Sequence, residues 1–256
     1  MYRPRIIPVL LLTNEGLVKT RGFDKSNYIG DPINAVHIFN NLKADEIVFL
    51  DIDAGKNNRP ISLEFVKNIG EEAFMPFAVG GGISTLKEIE ERIQGGAEKV
   101  VICSAAYEKK DFIKSAADAF GSSTISVCID VKKDFLRRDR VWIHGGRKKT
   151  DLDPVSFAMQ MEDAGAGEII LQSITQDGSM LGYDTALLNQ VSNATSIPLV
   201  ALGGAGSMED LRVGHDKGHA SGLAAGSLFV YQGKHRGVLI NYPSDQEKIT
   251  FHSRLH

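Results

Sequence analysis

Val79-Gly80-Gly81-Gly82-Ile83-Ser84 returns in the same chain as Leu202-Gly203-Gly204-Ala205-Gly206-Ser207, at an offset of 123 residues. Each copy is an apolar run that breaks into glycines, the pattern of a strand turning sharply toward a helix. Working outward, residues 101–106 (VICSAA) are echoed by 222–227 (GLAAGS) at an offset of 121, and the run ending at Leu11 by the run ending at Asp130 at an offset of 119. Offsets near half the chain predict two similar halves. Eight short apolar runs are spaced along the sequence, at 6–12, 47–52, 77–79, 100–103, 125–131, 169–171, 199–202 and 222–225. Helix-period segments lie between most of them, as where Leu86, Ile89 and Ile93 recur at spacings of three and four. Apolar strands alternating with amphipathic helices mean βαβ units and a parallel sheet. Eight units in 256 residues predict an α/β chain folded as a single (β/α)8 barrel with a two-fold half-barrel repeat, one domain over 1–256, rather than an open doubly wound sheet. After about residue 230, Gly233, Gly237 and Pro243 stand where a long eighth helix is expected, so an irregular tail is predicted.

Composition bounds the rest. With 43% hydrophobic residues, 24% charged and a formal net charge of -3, the chain is an ordinary globular one, ill suited to neutralising a nucleic-acid backbone. No apolar run approaches the ~20 residues that cross a bilayer, and Met1-Tyr2-Arg3-Pro4-Arg5 leads into no cleavage pattern, so a cytoplasmic protein is expected. Cys103 and Cys128 form no metal-ligand or disulfide spacing and read as reduced thiols; neither a metal nor an organic cofactor is expected. One stretch is basic: Lys132, Lys133, Arg137, Arg138, Arg140, Arg147, Lys148 and Lys149 face only Asp134 and Asp139. It reads either as a solvated surface loop or as an attractor for an anionic small molecule.

In a barrel of this kind the chemistry sits where strands end. Polar and small residues gather there: Asp51 and Asp53 after the second run, Gly82 after the third, Cys103 and Ser104 after the fourth, Asp130 at the fifth. Residues 173–178, Gly203 with Gly204, and 225–227 follow the sixth, seventh and eighth. Glycine lets a phosphate reach backbone N–H groups ahead of a helix, although any tight turn also calls for glycine. Two copies at half-barrel spacing predict two phosphate sites. Asp130, in an apolar setting, is a candidate general base, with a helix cap or a partner for Lys132 as the structural alternative. At the opposite ends, Arg5, Glu46, Lys99 and Glu168 immediately precede strands one, two, four and six with alternating sign, which predicts a ring of charge at the N-terminal mouth.

Longer motifs carry a family resemblance: RIIP at 5–8, GDP at 30–32, FLDI at 49–52, VGGGI at 79–83, AGAGEI at 164–169, DGSMLGYD at 177–184 and GGAG at 203–206. From Arg5 to about Phe229 the chain resembles HisF, the cyclase subunit of imidazole glycerol phosphate synthase, a lyase-type enzyme subunit of a glutamine amidotransferase complex. The resemblance implies a barrel that takes ammonia from a separate HisH-like glutaminase at its N-terminal face and uses it on a phosphoribulosyl-formimino ligand carrying two phosphates. It implies one phosphate at Gly82, Cys103 and Ser104, and the other at Asp177, Gly178, Gly204, Ala225 and Gly226. It further implies that Lys19 closes over the ligand from a flexible loop, that Asp130 serves in acid/base catalysis, that Arg5, Glu46, Lys99 and Glu168 are the ammonia gate, and that Glu98 touches the glutaminase.

Three departures matter. Cys103 stands for the family's asparagine, Gly226 for a serine, and Leu11 for the second catalytic aspartate. A leucine neither takes nor gives a proton. With the gate kept and an acid lost, the chain is most similar to the second-copy HisF-like proteins of surface-polysaccharide (lipopolysaccharide) pathways, in which such a pair supplies ammonia to a sugar amidotransferase. The alternative is an authentic cyclase of histidine biosynthesis using Asp130 with Asp51 or water; a non-catalytic phosphate-binding scaffold is the third reading. No Cys/His/Glu constellation points to glutaminase activity in this chain, and no GxGxxG follows the first run, which disfavours a dinucleotide-binding fold.

Overall fold

Every second residue of the eight apolar runs turns to one side, and the sides close on each other. In the computed structural model, which describes residues 3–233 and 235–255, the runs form β1 (Arg5–Thr13), β2 (Ile47–Asp51), β3 (Phe77–Gly80), β4 (Lys99–Ile102), β5 (Ile125–Lys133), β6 (Glu168–Ser173), β7 (Leu199–Leu202) and β8 (Gly222–Ala225). Each pairs in parallel with the next, and β8 returns to β1 with Arg5 opposite Gly222. The chain is a (β/α)8 barrel. The single domain expected over 1–256 includes Met1, Tyr2, Lys234 and His256, which lie outside the described residues.

Helices α1 (Pro32–Asn41), α2 (Leu63–Glu72), α3 (Leu86–Gln94), α4 (Ser104–Glu108), α5 (Phe112–Phe120), α6 (Pro154–Asp163), α7 (Thr185–Ala194) and α8 (Met208–Asp216) surround the strands. Most begin on a capping side chain: Asp31, Ser62, Thr85, Asp153, Asp184 and Ser207 each accept a backbone N–H from the first turn. Two strands run on past the expected end. β1 folds back onto Gly16–Lys19, and β5 onto Asp139–Ile143, so Asp130 lies inside a strand, opposite Trp142, instead of closing it. The tail holds the four-residue α9 (Ser227–Val230), a hairpin of Tyr231–Gln232 with Gly237–Val238, and α10 (Asp245–Ser253). Tyr242 ties it to the barrel, donating to the Ile6 carbonyl at 2.9 Å and accepting from the Asp45 N–H at 3.1 Å.

Two apolar layers result from the period of two. Ile6, Leu10, Leu12 and Phe49 face the helices, while Ile7, Val9, Leu11, Val48, Ala78, Val101, Ile170, Val200 and Ala224 fill the barrel. The inner set has polar members on one wall: Ser126, Cys128 and Asp130 alternate along β5, and Glu168 and Gln172 share a face of β6 beside them. Among the described residues no helix is long and apolar enough to cross a membrane.

Candidate functional site

At the N-terminal mouth four side chains close a ring. The Arg5 guanidinium bonds Glu46 with one nitrogen and Glu168 with the other. Lys99 Nζ reaches the same two carboxylates at 3.1 and 3.3 Å. Cation and anion alternate, so each charge has two opposite neighbours, and Ser126 Oγ donates to Glu168 Oε1 at 3.0 Å from the inner side. Arg5, Lys99 and Glu168 are the first residues of their strands, and only Glu46 precedes one, a one-residue difference at strand ends. The ring lies across the axis of the barrel, and the mostly apolar interior begins directly above it.

The other mouth centres on Asp130, which is 6% exposed. Cys103 Sγ donates to its Oδ2 and Cys128 Sγ to its Oδ1, both at 3.6 Å. Burial pushes the Asp130 carboxyl up to about 7, against the hydrogen bonds from Cys128 and Cys103, while the charge of Asp177 adds to the rise. The thiols are coupled: their mutual hydrogen bond favours the Cys103 thiolate and disfavours that of Cys128, and burial with the Asp130 charge raises both, Cys128 the further. A carboxyl poised near neutrality can take or give a proton. Across the barrel, four strands away in either direction, Leu11 fills the matching inward position of β1, paired with Leu50 and Val18.

Each glycine-rich exit has a small-residue exit on the adjacent strand. Gly82 follows β3, next to Cys103 and Ser104 after β4. Gly204 follows β7, with Ala225 and Gly226 at the end of β8 on one side and Asp177 and Gly178 after β6 on the other. Gly82 has φ +66, and a Cβ there would collide with the Arg59 carbonyl oxygen. Gly82→Ala should therefore cost roughly 2–4 kcal/mol, from left-handed backbone strain plus forced displacement of a neighbouring main chain, read as a fall in melting temperature of about 5–15 °C. An unchanged melting curve would show that the exit is loosely built.

Several residues sit otherwise than expected. Lys19 ends the strand Gly16–Lys19 and is 6% exposed, so in this structure it is part of a hairpin rather than of a loop. Its ammonium lies 3.9 Å from Asp177 Oδ1, in space that a Cβ on Gly226 would take, and burial holds it below the ordinary lysine range against the attraction of Asp177. Ser104 Oγ accepts from the His144 N–H at 2.9 Å. Asp51, the candidate second acid, accepts from the N–H groups of Asp53 and Ala54 at 3.0 Å and from Arg59 at 2.6 Å, so its oxygens serve the loop. The basic stretch is a hairpin whose charges are partly matched: Arg138 and Arg140 face Asp134, and Lys133 holds Asp139. Sequence reasoning missed the thiol contacts on Asp130, and it missed Ser227, whose buried hydroxyl has no hydrogen-bond partner among the described residues. The alternation Ser126, Cys128, Asp130 was the available signal for the first; nothing signalled the second.

Known proteins resemble this chain along nearly its whole length. Residues 5–236 match the family model described as "Histidine biosynthesis protein". The chain is 43% identical over 249 residues to a Leptospira interrogans protein named "Putative imidazole glycerol phosphate synthase subunit HisF", covering 97% of this chain and 98% of the relative. It is 44% identical to a Pseudomonas aeruginosa protein whose name has the same form and ends in hisF2, covering 95% and 97%. A Vibrio vulnificus protein with a name ending in hisF3 is 42% identical, covering 97% and 96%.

Proposed function

We propose, for a chain that belongs to the family of histidine biosynthesis proteins, that it is a HisF-like subunit which receives ammonia from a separate HisH-like glutaminase and hands it on at the far mouth of the barrel. The recipient in this reading is a sugar amidotransferase of surface-polysaccharide biosynthesis, working in the cytoplasm. The observation that carries it is the pairing of a complete four-residue charge ring at one mouth with Leu11 in the barrel wall across from Asp130 at the other. Neutral ammonia crosses an apolar interior at little cost, whereas ammonium would lose its hydration there. A ring of paired charges supplies hydrogen-bond partners at the threshold, and Phe74, 88% exposed just ahead of β3, offers an apolar contact for a glutaminase on the same face.

Acid/base chemistry at the other mouth would need a second group besides Asp130, and Leu11 supplies none. A second reading keeps one observation in its favour. Asp130 is poised near neutrality, which suits an authentic cyclase of histidine biosynthesis that draws its second proton carrier from water. Both readings place phosphates at Gly82/Ser104 and at Gly178/Gly204/Gly226.

The nitrogen source tests the gate. In the complex with the glutaminase, Lys99→Glu and Glu168→Lys should lower glutamine-dependent nitrogen transfer by about tenfold or more, because each leaves like charges facing across the mouth. Transfer from added ammonium, which reaches the other mouth from solvent, should change much less. Equal loss with both sources would contradict the gate.

A further inference from the structure

The hairpin after β8 reaches back to Gly178, in the exit that follows β6. Its turn is closed by the Arg236 N–H on the Gly233 carbonyl at 3.1 Å, with Arg236 at φ 51, and the returning strand is fixed by Leu239 N–H on Val230 O at 3.0 Å. From that turn the Arg236 guanidinium donates to the Gly178 carbonyl at 3.4 Å. Arg236 is exposed, and among the described residues it makes no ion pair, so its charge is open to an anion arriving from solvent. Gly178 is also where the β1 hairpin docks: Thr20 Oγ1 donates to Asp177 Oδ2 at 3.0 Å, and Gly22 N–H to Asp177 O at 3.0 Å. Asp177 thus faces the Lys19 ammonium. Ser227, which directly follows Gly226 in the chain, has a buried Oγ without a hydrogen-bond partner among the described residues.

We infer that Arg236 is an anion-binding residue of the second exit, and that with Lys19 it makes this exit selective for a dianionic phosphomonoester. This rests on the reading of that exit as a phosphate site. Lys19 fills the room that Gly226 leaves, and Arg236 brings a planar fork of donors to Gly178 on the neighbouring loop, groups suited to phosphate oxygens. The tail is then a wall of the site as well as a strap on the barrel.

Isothermal titration with inorganic phosphate and with ribose 5-phosphate tests it, on the unmodified protein and on Arg236→Gln and Arg236→Lys. Glutamine can still donate to the Gly178 carbonyl, so the strap is kept while the charge is lost. Arg236→Gln should weaken binding by about tenfold at an unchanged melting temperature, and Arg236→Lys by clearly less, since it keeps the charge. If Arg236→Gln lowers the melting temperature, Arg236→Lys decides: more phosphate affinity than Arg236→Gln supports the inference, and equal loss in both overturns it. Equal affinity in all three proteins would overturn the role of Arg236 while leaving the phosphate site intact. No binding of either probe to the unmodified protein would overturn the phosphate reading itself.

Discussion

Leu11→Asp should raise turnover of the phosphoribulosyl-formimino substrate with ammonium by about 10²-fold or more, because it returns a proton carrier to the barrel wall across from Asp130. The contribution of one positioned acid or base is about 10²–10⁴-fold, which sets the scale. The new carboxylate would enter an apolar layer beside Val9, Val18 and Leu50, at a position 6% exposed. Burying it without a partner costs roughly 1–3 kcal/mol, so the variant should melt lower while working faster. A variant that folds, shows that cost and gains no activity would remove Leu11 from the account of the missing chemistry.

Asp130→Asn should change the pH dependence of stability by about 4 kcal/mol. The carboxyl titrates near 7 in the folded protein and near the ordinary value of 3.8 when unfolded, a gap of about three pKa units at about 1.36 kcal/mol each. The folded state holds the proton more tightly, so the stability associated with this group is complete below pH 4 and is lost as pH rises through 7. Asparagine carries no such charge. The stability of the variant relative to the unmodified protein should therefore climb between pH 4 and pH 7 and then level off, measured by denaturant unfolding at a series of pH values. Parallel pH profiles for the two proteins would mean that Asp130 ionises as freely in the barrel as in the open chain. A residue that destabilises its own fold at neutral pH fits one kept for chemistry or binding.

Much of this barrel can be read from local pattern. Eight apolar runs, the repeated glycine exits and the four charges at strand starts are short-range signals, and barrel closure brings the four charges together. What escaped depends on contacts that only closure creates. Cys103 and Cys128 sit in apolar runs like any core thiol, and their donation to one carboxylate follows from the side-by-side placing of β4 and β5. Asp51 looks like a candidate acid until Arg59 and two loop N–H groups are seen to occupy it. Lys19 follows a turn at Asn14 and Glu15, both with positive φ, and strand pairing back onto β1 cannot be told from a loop by composition. Arg236 lies in a glycine-broken tail with no period, and its place over Gly178 is set by a hairpin of two-residue strands.

The unmodified protein, given ammonium chloride and the phosphoribulosyl-formimino substrate without glutaminase, provides the most direct measurement of the proposed function. Enzymes commonly turn over at about 1–10³ s⁻¹, and loss of one proton carrier predicts a rate on the order of 10² or more below that range. Imidazole product formed at an ordinary rate would contradict the ammonia-supply reading and make this chain a working cyclase.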